Sequence, residues 1–415
     1  MSAPLISRRD TCRLCDGRAL KFVISFGKTP PANAFLRKEQ LSEPEHRFPL
    51  DLFLCGDCGH LQLLDVVDPE ILFRNYLYAS STSPSFVEHF RLYAEDLINR
   101  YAVKPGSLVV EIGSNDGILL RHFKKHAVRV LGVDPAISIA QSATASGIET
   151  IPGFFTLETA RQIQKDHGGA VVVTANNVFA HADDLRGIVE GVKRLLAAEG
   201  IFVFEVSYLL DVYEKTLFDM TYHEHVSYHS VKPLSLFFER EGMELIEAIR
   251  VPPHGGSLRG IVQLKGGPHQ KQSSVEELLR REGAVKLDKA ETFIQFGGNI
   301  TGLKHALKKL LLDLKSQGKR IAGFGAPAKL TTLMHHFEIS ADIVEFVVDD
   351  SPLKQNLYTP GYHIPVVPDS HMYQARPDYV LILAWNFAES IITKHKAFLQ
   401  QGGHFIIPLP VLKIH

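Results

Sequence analysis

The sequence lacks an excess of charge of either sign. Its 415 residues carry 45 Lys and Arg against 46 Asp and Glu, a net charge of −1. A general nucleic-acid binder shows a basic surplus, so this balance excludes such a partner and leaves room only for a local basic pocket. Long apolar runs are missing too: none reaches the about 20 residues that cross a bilayer. The opening MSAPLISRRD lacks the apolar core of a secretory signal. We therefore expect a cytoplasmic monomer with no nucleic-acid and no membrane partner. Cysteine is scarce as well, with four in the chain, all before residue 59. In a reducing compartment four thiols serve a metal sooner than disulfides.

What is present is ordinary for a globular chain: 45% hydrophobic and 22% charged residues. At roughly 150 residues per domain, the length implies two or three domains. The cysteines fall in two C-x-x-C pairs, Cys12 with Cys15 and Cys55 with Cys58. One tight turn sets two thiolates on one tetrahedral ion, and two such turns complete a four-thiolate site. Gly17, Gly56 and Gly59 give both turns freedom. Such a site has no open position, so structural zinc is expected and no catalysis is assigned to it. A segment this small needs the metal to hold together.

Residues 107–117, SLVVEIGSNDG, read as a buried strand, a glycine turn and a helix start. Ligands of doubly wound sheets bind at such strand ends. Gly113 and Gly117 are four apart, which is not the G-x-G-x-x-G of dinucleotide binding. The next strand, VRVLGVD, ends in Asp134, suited to two ribose hydroxyls. Further strands are expected in AVVVTANNVFAH and GIFVFEVSY, with a weaker one in IPGFF. The set resembles the class I S-adenosylmethionine-dependent methyltransferases. That resemblance implies a cofactor site from Glu111, Gly113, Asn115, Asp116, Gly117, Asp134, Pro135, Asn176 and Asn177.

TYHEHVSYHS, residues 221–230, concentrates three histidines, a glutamate and two tyrosines just after a strand end. Methylating carbon requires removing a proton and stabilising an enolate, and histidine titrates near neutrality. Alternation along an extended chain would set His223 and His225 on one face and Glu224 on the other. A solvated loop or an H-x-H metal site are the competing readings. Together with YLYASSTSPSFVEHF, NNVFAH and PHGGSLRG, the order of segments resembles the sugar C-methyltransferases of deoxysugar biosynthesis along essentially the whole chain. The resemblance implies methylation at carbon 3 of a nucleoside-diphosphate 4-keto-6-deoxysugar. It makes His225 the base, with Tyr222 and Glu224 orienting the sugar. Tyr76 and His181 face the same pocket, His181 near the enolate oxygen. Tyr78 competes with Tyr76 for one role.

From residue 251 a strand–turn–helix pattern restarts. In GFGAPA, Gly323, Gly325 and Ala328 also fit a dinucleotide fingerprint, which keeps an NAD-dependent oxidoreductase as a rival. An O- or N-methyltransferase is the nearer rival. A glycine turn at a helix start suits any diphosphate. Gly325, Ala326, Pro327 and Lys329 are thus candidate substrate contacts, as are His254, Ser257 and Arg259 in the bridging segment. The expected fold class is α/β: an N-terminal zinc-binding module (1–78), a class I methyltransferase Rossmann-like sheet (79–250) and a second Rossmann-like C-terminal domain (251–415).

Overall fold

Strand Leu108–Ile112 is buried at every position. A run such as LVVEI suits a parallel strand whose two faces are both covered. A computed structural model describes residues 5–73 and 84–415 of the chain. In it this strand lies inside a seven-stranded sheet. The order is Met243–Val251, Ser257–Leu264, Leu196–Ser207, Ala170–Asn176, Leu108–Ile112, Arg129–Asp134, Thr150–Pro152. The five strands from Leu196–Ser207 to Thr150–Pro152 are parallel neighbours. Ser257–Leu264 pairs antiparallel with both Leu196–Ser207 and Met243–Val251. Chain order reverses between Leu108–Ile112 and Ala170–Asn176, which opens a crevice at their C-terminal ends.

The expected boundary at residue 251 falls inside the last hairpin of this sheet. Met243–Val251 and Ser257–Leu264 pair along their length, so the methyltransferase sheet extends to residue 264. The hydrophobic pattern could not reveal this, because strand partners are chosen in space. The boundary expected at residue 78 lies outside the described residues.

The zinc module is likewise not self-contained. Its four-stranded sheet runs Leu20–Thr29, Phe48–Cys55, Leu61–Leu63 and then Ser227–Tyr228. The last strand comes from the histidine-rich segment of the middle region.

The third sheet has six strands, in the order Val366–Val367, Val347–Val348, Ile321–Phe324, Tyr379–Ile382, His404–Ile407, Lys413–Ile414. All neighbours are parallel except the last pair. Helices Ser273–Ala284 and Ala290–Ser316 connect it to the middle sheet. No helix among the described residues is long and apolar enough to cross a membrane.

Candidate active site

The turn after Leu108–Ile112 holds Gly113 at φ 67°. A Cβ there would lie 2.2 Å from a Val178 methyl carbon. Glycine lets these two loops close over the sheet end. Asp134 ends the adjacent strand. Its carboxylate accepts the backbone N–H of Asn115 at 2.8 Å and of Ala136 at 2.9 Å. Each oxygen keeps further lone pairs, enough for a vicinal diol. Glu111 accepts from Asn176 Nδ2 at 3.0 Å, while its other oxygen is buried with no partner among the described residues. Burial pushes the Glu111 carboxyl up to about 8. A cationic ligand would remove that penalty. S-adenosylmethionine carries both a sulfonium and an ammonium, so these residues fit it.

Seven of the nine expected cofactor residues line one cavity of about 680 Å³: Glu111, Gly113, Asn115, Asp134, Pro135, Asn176 and Asn177. Asp116 and Gly117 lie outside its lining. Gly117, at φ 76°, instead starts helix Ile118–Lys124.

The same cavity is lined by His181, Tyr222, His225 and His254. His225 Nδ1 lies 2.9 Å from the Met220 carbonyl, and Nε2 lies 2.8 Å from the Tyr222 hydroxyl. A carbonyl only accepts, so Nδ1 carries the proton and Nε2 keeps a lone pair to which Tyr222 donates. The His181 ring stacks on His225 at 5.0 Å. Its Nε2 is buried and makes no hydrogen bond among the described residues. Burial holds His225 well below the ordinary imidazole range, helped by His181, and lowers His181 and His254 to about 4. All three imidazoles are therefore neutral at pH 7.

The alternation expected for residues 223–225 does not hold. The segment is a turn, closed by the His225 N–H on the Tyr222 carbonyl at 2.9 Å, so its side chains diverge. His223 points into the zinc module, 3.1 Å from the Phe48 carbonyl. Glu224 is buried and accepts from Asn33 at 2.8 Å, outside the cavity lining. Burial raises its carboxyl to about 7, opposed by Asn33 and Lys354. His229 reaches the Phe179 carbonyl at 3.0 Å. Tyr222 and His225 thus line the cavity, while His223, Glu224 and His229 are held by partners outside it.

The other expected substrate contacts are not in this cavity. Ser257 is bonded to the Pro253 carbonyl. Arg259 pairs with Glu205 at 3.0 Å directly across the strands and lies 3.7 Å above the Tyr93 ring. Lys329 is buried, 3.8 Å from Asp219 and 4.0 Å over Trp385, so its charge already has a partner. Gly325, at φ 92°, packs against Ala384. The Ala326 N–H donates to Asp349 at 2.6 Å. Gly325, Ala326 and Pro327 line no part of the cavity. Tyr76 and Tyr78 lie outside the described residues.

The four cysteine sulfurs lie within 4.8 Å of one another, with Cys12–Cys58 at 3.7 Å and Cys15–Cys55 at 3.5 Å. Tetrahedral Zn–S bonds of about 2.3 Å would set sulfurs roughly 3.8 Å apart. Without a cation the thiols compete: hydrogen bonds from Cys55 and Cys58 drive Cys12 down, while Cys12 pushes Cys58 up. The cluster fits a divalent cation closed on four thiolates.

Sequence reasoning missed the aromatic wall. Phe154 and Phe155, read only as part of a strand, and Phe86 and Phe90 all line the cavity. Two aromatics directly after a strand end at the cofactor edge were the available signal. It also missed Asp219 and Trp385, whose Nε1 donates to that carboxylate at 2.6 Å. Nothing local distinguishes them.

The sheet order, glycine turn and acidic strand end define an S-adenosylmethionine-dependent methyltransferase. Family profiles match three successive segments of the chain, with the second and third divided between residues 248 and 252. "Putative zinc binding domain" matches residues 12–73, "Methyltransferase domain" 86–248, and "C-methyltransferase C-terminal domain" 252–410. C-methyltransferase NovU of Streptomyces niveus is 35% identical over 401 residues, covering 97% of this chain and 96% of that protein. The chain belongs to this family of C-methyltransferases. Solved structures are more distant. A methyltransferase from Anabaena variabilis is 15% identical over 42% of this chain and 84% of its own, at a TM-score of 0.34. Magnesium protoporphyrin IX methyltransferase from Synechocystis is 14% identical over 43% and 83%, at 0.34. At such scores neither adds to the argument.

Proposed function

We propose that this enzyme methylates carbon 3 of a nucleoside-diphosphate 4-keto-6-deoxysugar through an enolate, with His225 as the base. The observation that carries the reading is a neutral imidazole, His225, that lines the same cavity as the donor residues and has its Nε2 held by the Tyr222 hydroxyl. A carbon acid beside a ketone needs such a base, whereas an oxygen acceptor often needs positioning alone. S-adenosylmethionine, held by Glu111 and Asp134 when bound, would supply the methyl group to carbon 3 and leave as S-adenosylhomocysteine. Once the Tyr222 hydroxyl turns to the sugar, His225 Nε2 takes the proton from carbon 3 and the electron pair passes toward the carbon 4 oxygen. Tyr222 orients the sugar and holds Nε2. His181, whose Nε2 has no hydrogen-bond partner among the described residues, serves the enolate oxygen as a donor. Tyr76 has its substrate role from the resemblance alone. Glu224, bonded to Asn33, acts by holding the turn.

The test is incubation of purified enzyme, S-adenosylhomocysteine and nucleotide-linked 4-keto-6-deoxysugars in deuterated water, followed by proton NMR. Carbon 3 hydrogen should exchange with the native enzyme and not with His225→Ala. A turnover product bearing the methyl on oxygen or nitrogen would overturn the proposal.

A further inference from the structure

One side chain of the zinc module is bonded to both histidine loops. Arg13 lies inside the first C-x-x-C turn, so its backbone is fixed by the cysteines on either side. Its side chain is fully buried. Nε donates to Asp183 Oδ1 at 2.9 Å. Nη1 donates to the Leu63 carbonyl, to the Val226 carbonyl at 3.2 Å and to Gln62 Oε1 at 3.2 Å. Gln62 Oε1 also accepts the Arg13 backbone N–H at 3.1 Å.

The partners are informative. Val226 follows His225 directly, and Asp183 lies two residues after His181. Val226 is also bonded to the module sheet by the Leu63 N–H at 3.0 Å, and the Ser227 N–H donates to the Ala180 carbonyl at 3.1 Å. One guanidinium therefore ties together the two loops whose imidazoles stack at 5.0 Å. Arginine suits this role because its planar fork presents five donors in fixed directions, where lysine offers one compact head. A buried guanidinium with no positional role would be a costly choice beside an apolar residue of similar volume.

We propose that Arg13 is a positioning residue, which uses the zinc turn as its anchor to set the spacing of His181 and His225. The inference extends the proposed function in its turnover arm alone. A contact that merely stabilised the module would leave the imidazole environment of the folded protein unchanged.

The experiment uses the full-length, zinc-loaded protein with ring-15N histidine. His181 and His225 signals are assigned by His181→Gln and His225→Gln. Arg13→Met and Asp183→Asn are then compared with the native chain. Asp183 is partly exposed, so its amide variant tests the same tether if Arg13→Met fails to fold. We expect zinc content to remain one per chain and S-adenosylhomocysteine affinity to change by less than about threefold. The His181 and His225 ring-nitrogen shifts should move. kcat should fall about 10- to 100-fold, the scale of a misplacement near 1 Å, with KM for the methyl donor little changed. Unmoved histidine signals in a folded, zinc-loaded Asp183→Asn protein would overturn the proposal. Moved signals with native turnover would uphold the tether and overturn the catalytic roles given to the two histidines.

Discussion

The Tyr222 hydroxyl lies 2.8 Å from Nε2 of His225, whose Nδ1 is committed to the Met220 carbonyl. The pair fixes one tautomer, with the Nε2 lone pair accepting the Tyr222 hydroxyl at the cavity wall. Replacing Tyr222 by Phe should leave the ring in place, because the Met220 bond remains, but free its outer edge. Replacing His225 by Gln removes the proposed base. We expect turnover to fall about 100- to 10,000-fold in His225→Gln, the usual weight of a general base, and less in Tyr222→Phe. Steady-state kinetics with a calorimetric check of S-adenosylhomocysteine binding would separate lost chemistry from lost binding.

Asp134 should dominate donor affinity. Asp134→Ala deletes acceptors for two hydroxyls, each bond to a charged group contributing about 1.5–3 kcal/mol. Titration with S-adenosylhomocysteine should show affinity lowered about 100-fold or more. Gly113→Val should abolish binding, since its Cβ would sit 2.2 Å from Val178.

Metal analysis should find one zinc per chain, and Cys12→Ser should lose it. The module sheet shares strand Ser227–Tyr228 with the middle region, so loss of zinc should lower the melting temperature of the whole protein and reduce activity together. Retention of full activity by a zinc-free protein would contradict the shared sheet.

Histidine burial sets a pH dependence. Burial lowers His223 from 6.5 to about 4, its bond to Phe48 opposing. The unfolded chain then binds more protons between those values. The contribution of neutral His223 is fully present above pH 6.5 and is lost as pH falls through about 4. The native chain and His223→Gln should therefore differ most in stability at neutral pH. The difference should narrow on acidification, by at most about 3 kcal/mol. Denaturant unfolding at a series of pH values would measure it.

Lys329 distinguishes a structural cation from a substrate contact. Lys329→Met leaves the buried Asp219 carboxylate without its counter-charge, which should cost roughly 3 kcal/mol in urea unfolding. A variant of native stability with weakened substrate binding would instead return Lys329 to the diphosphate.

Much of the lining of the cavity at the strand ends was legible in the sequence. Strand ends in a parallel sheet are local features: an apolar run, a glycine at positive φ and an acidic terminus lie within a few residues of each other. Glu111, Gly113, Asn115 and Asp134 could be read for that reason. The histidine segment was legible in content and not in direction. A turn at Tyr222–His225 sends neighbouring side chains to three different elements, and the alternation of an extended strand was the wrong template. Arg259 and Lys329 looked like ligand contacts because a polar residue beside glycines reads the same whether its partner is a substrate or a buried carboxylate.

The sequence by itself determined the metal site, the α/β class and the family, because cysteine spacing, strand periodicity and motif order are properties of neighbours along the chain. Only the tertiary structure decided which histidines share the cavity, that strand Ser227–Tyr228 completes the zinc module's sheet, and that Arg13 joins the loops of His181 and His225. Those facts depend on contacts between residues far apart in the chain, such as Arg13 and Val226, which are 213 positions apart. Burial, not local propensity, selects such partners: a guanidinium or carboxylate removed from water must find its counterpart wherever the fold brings one.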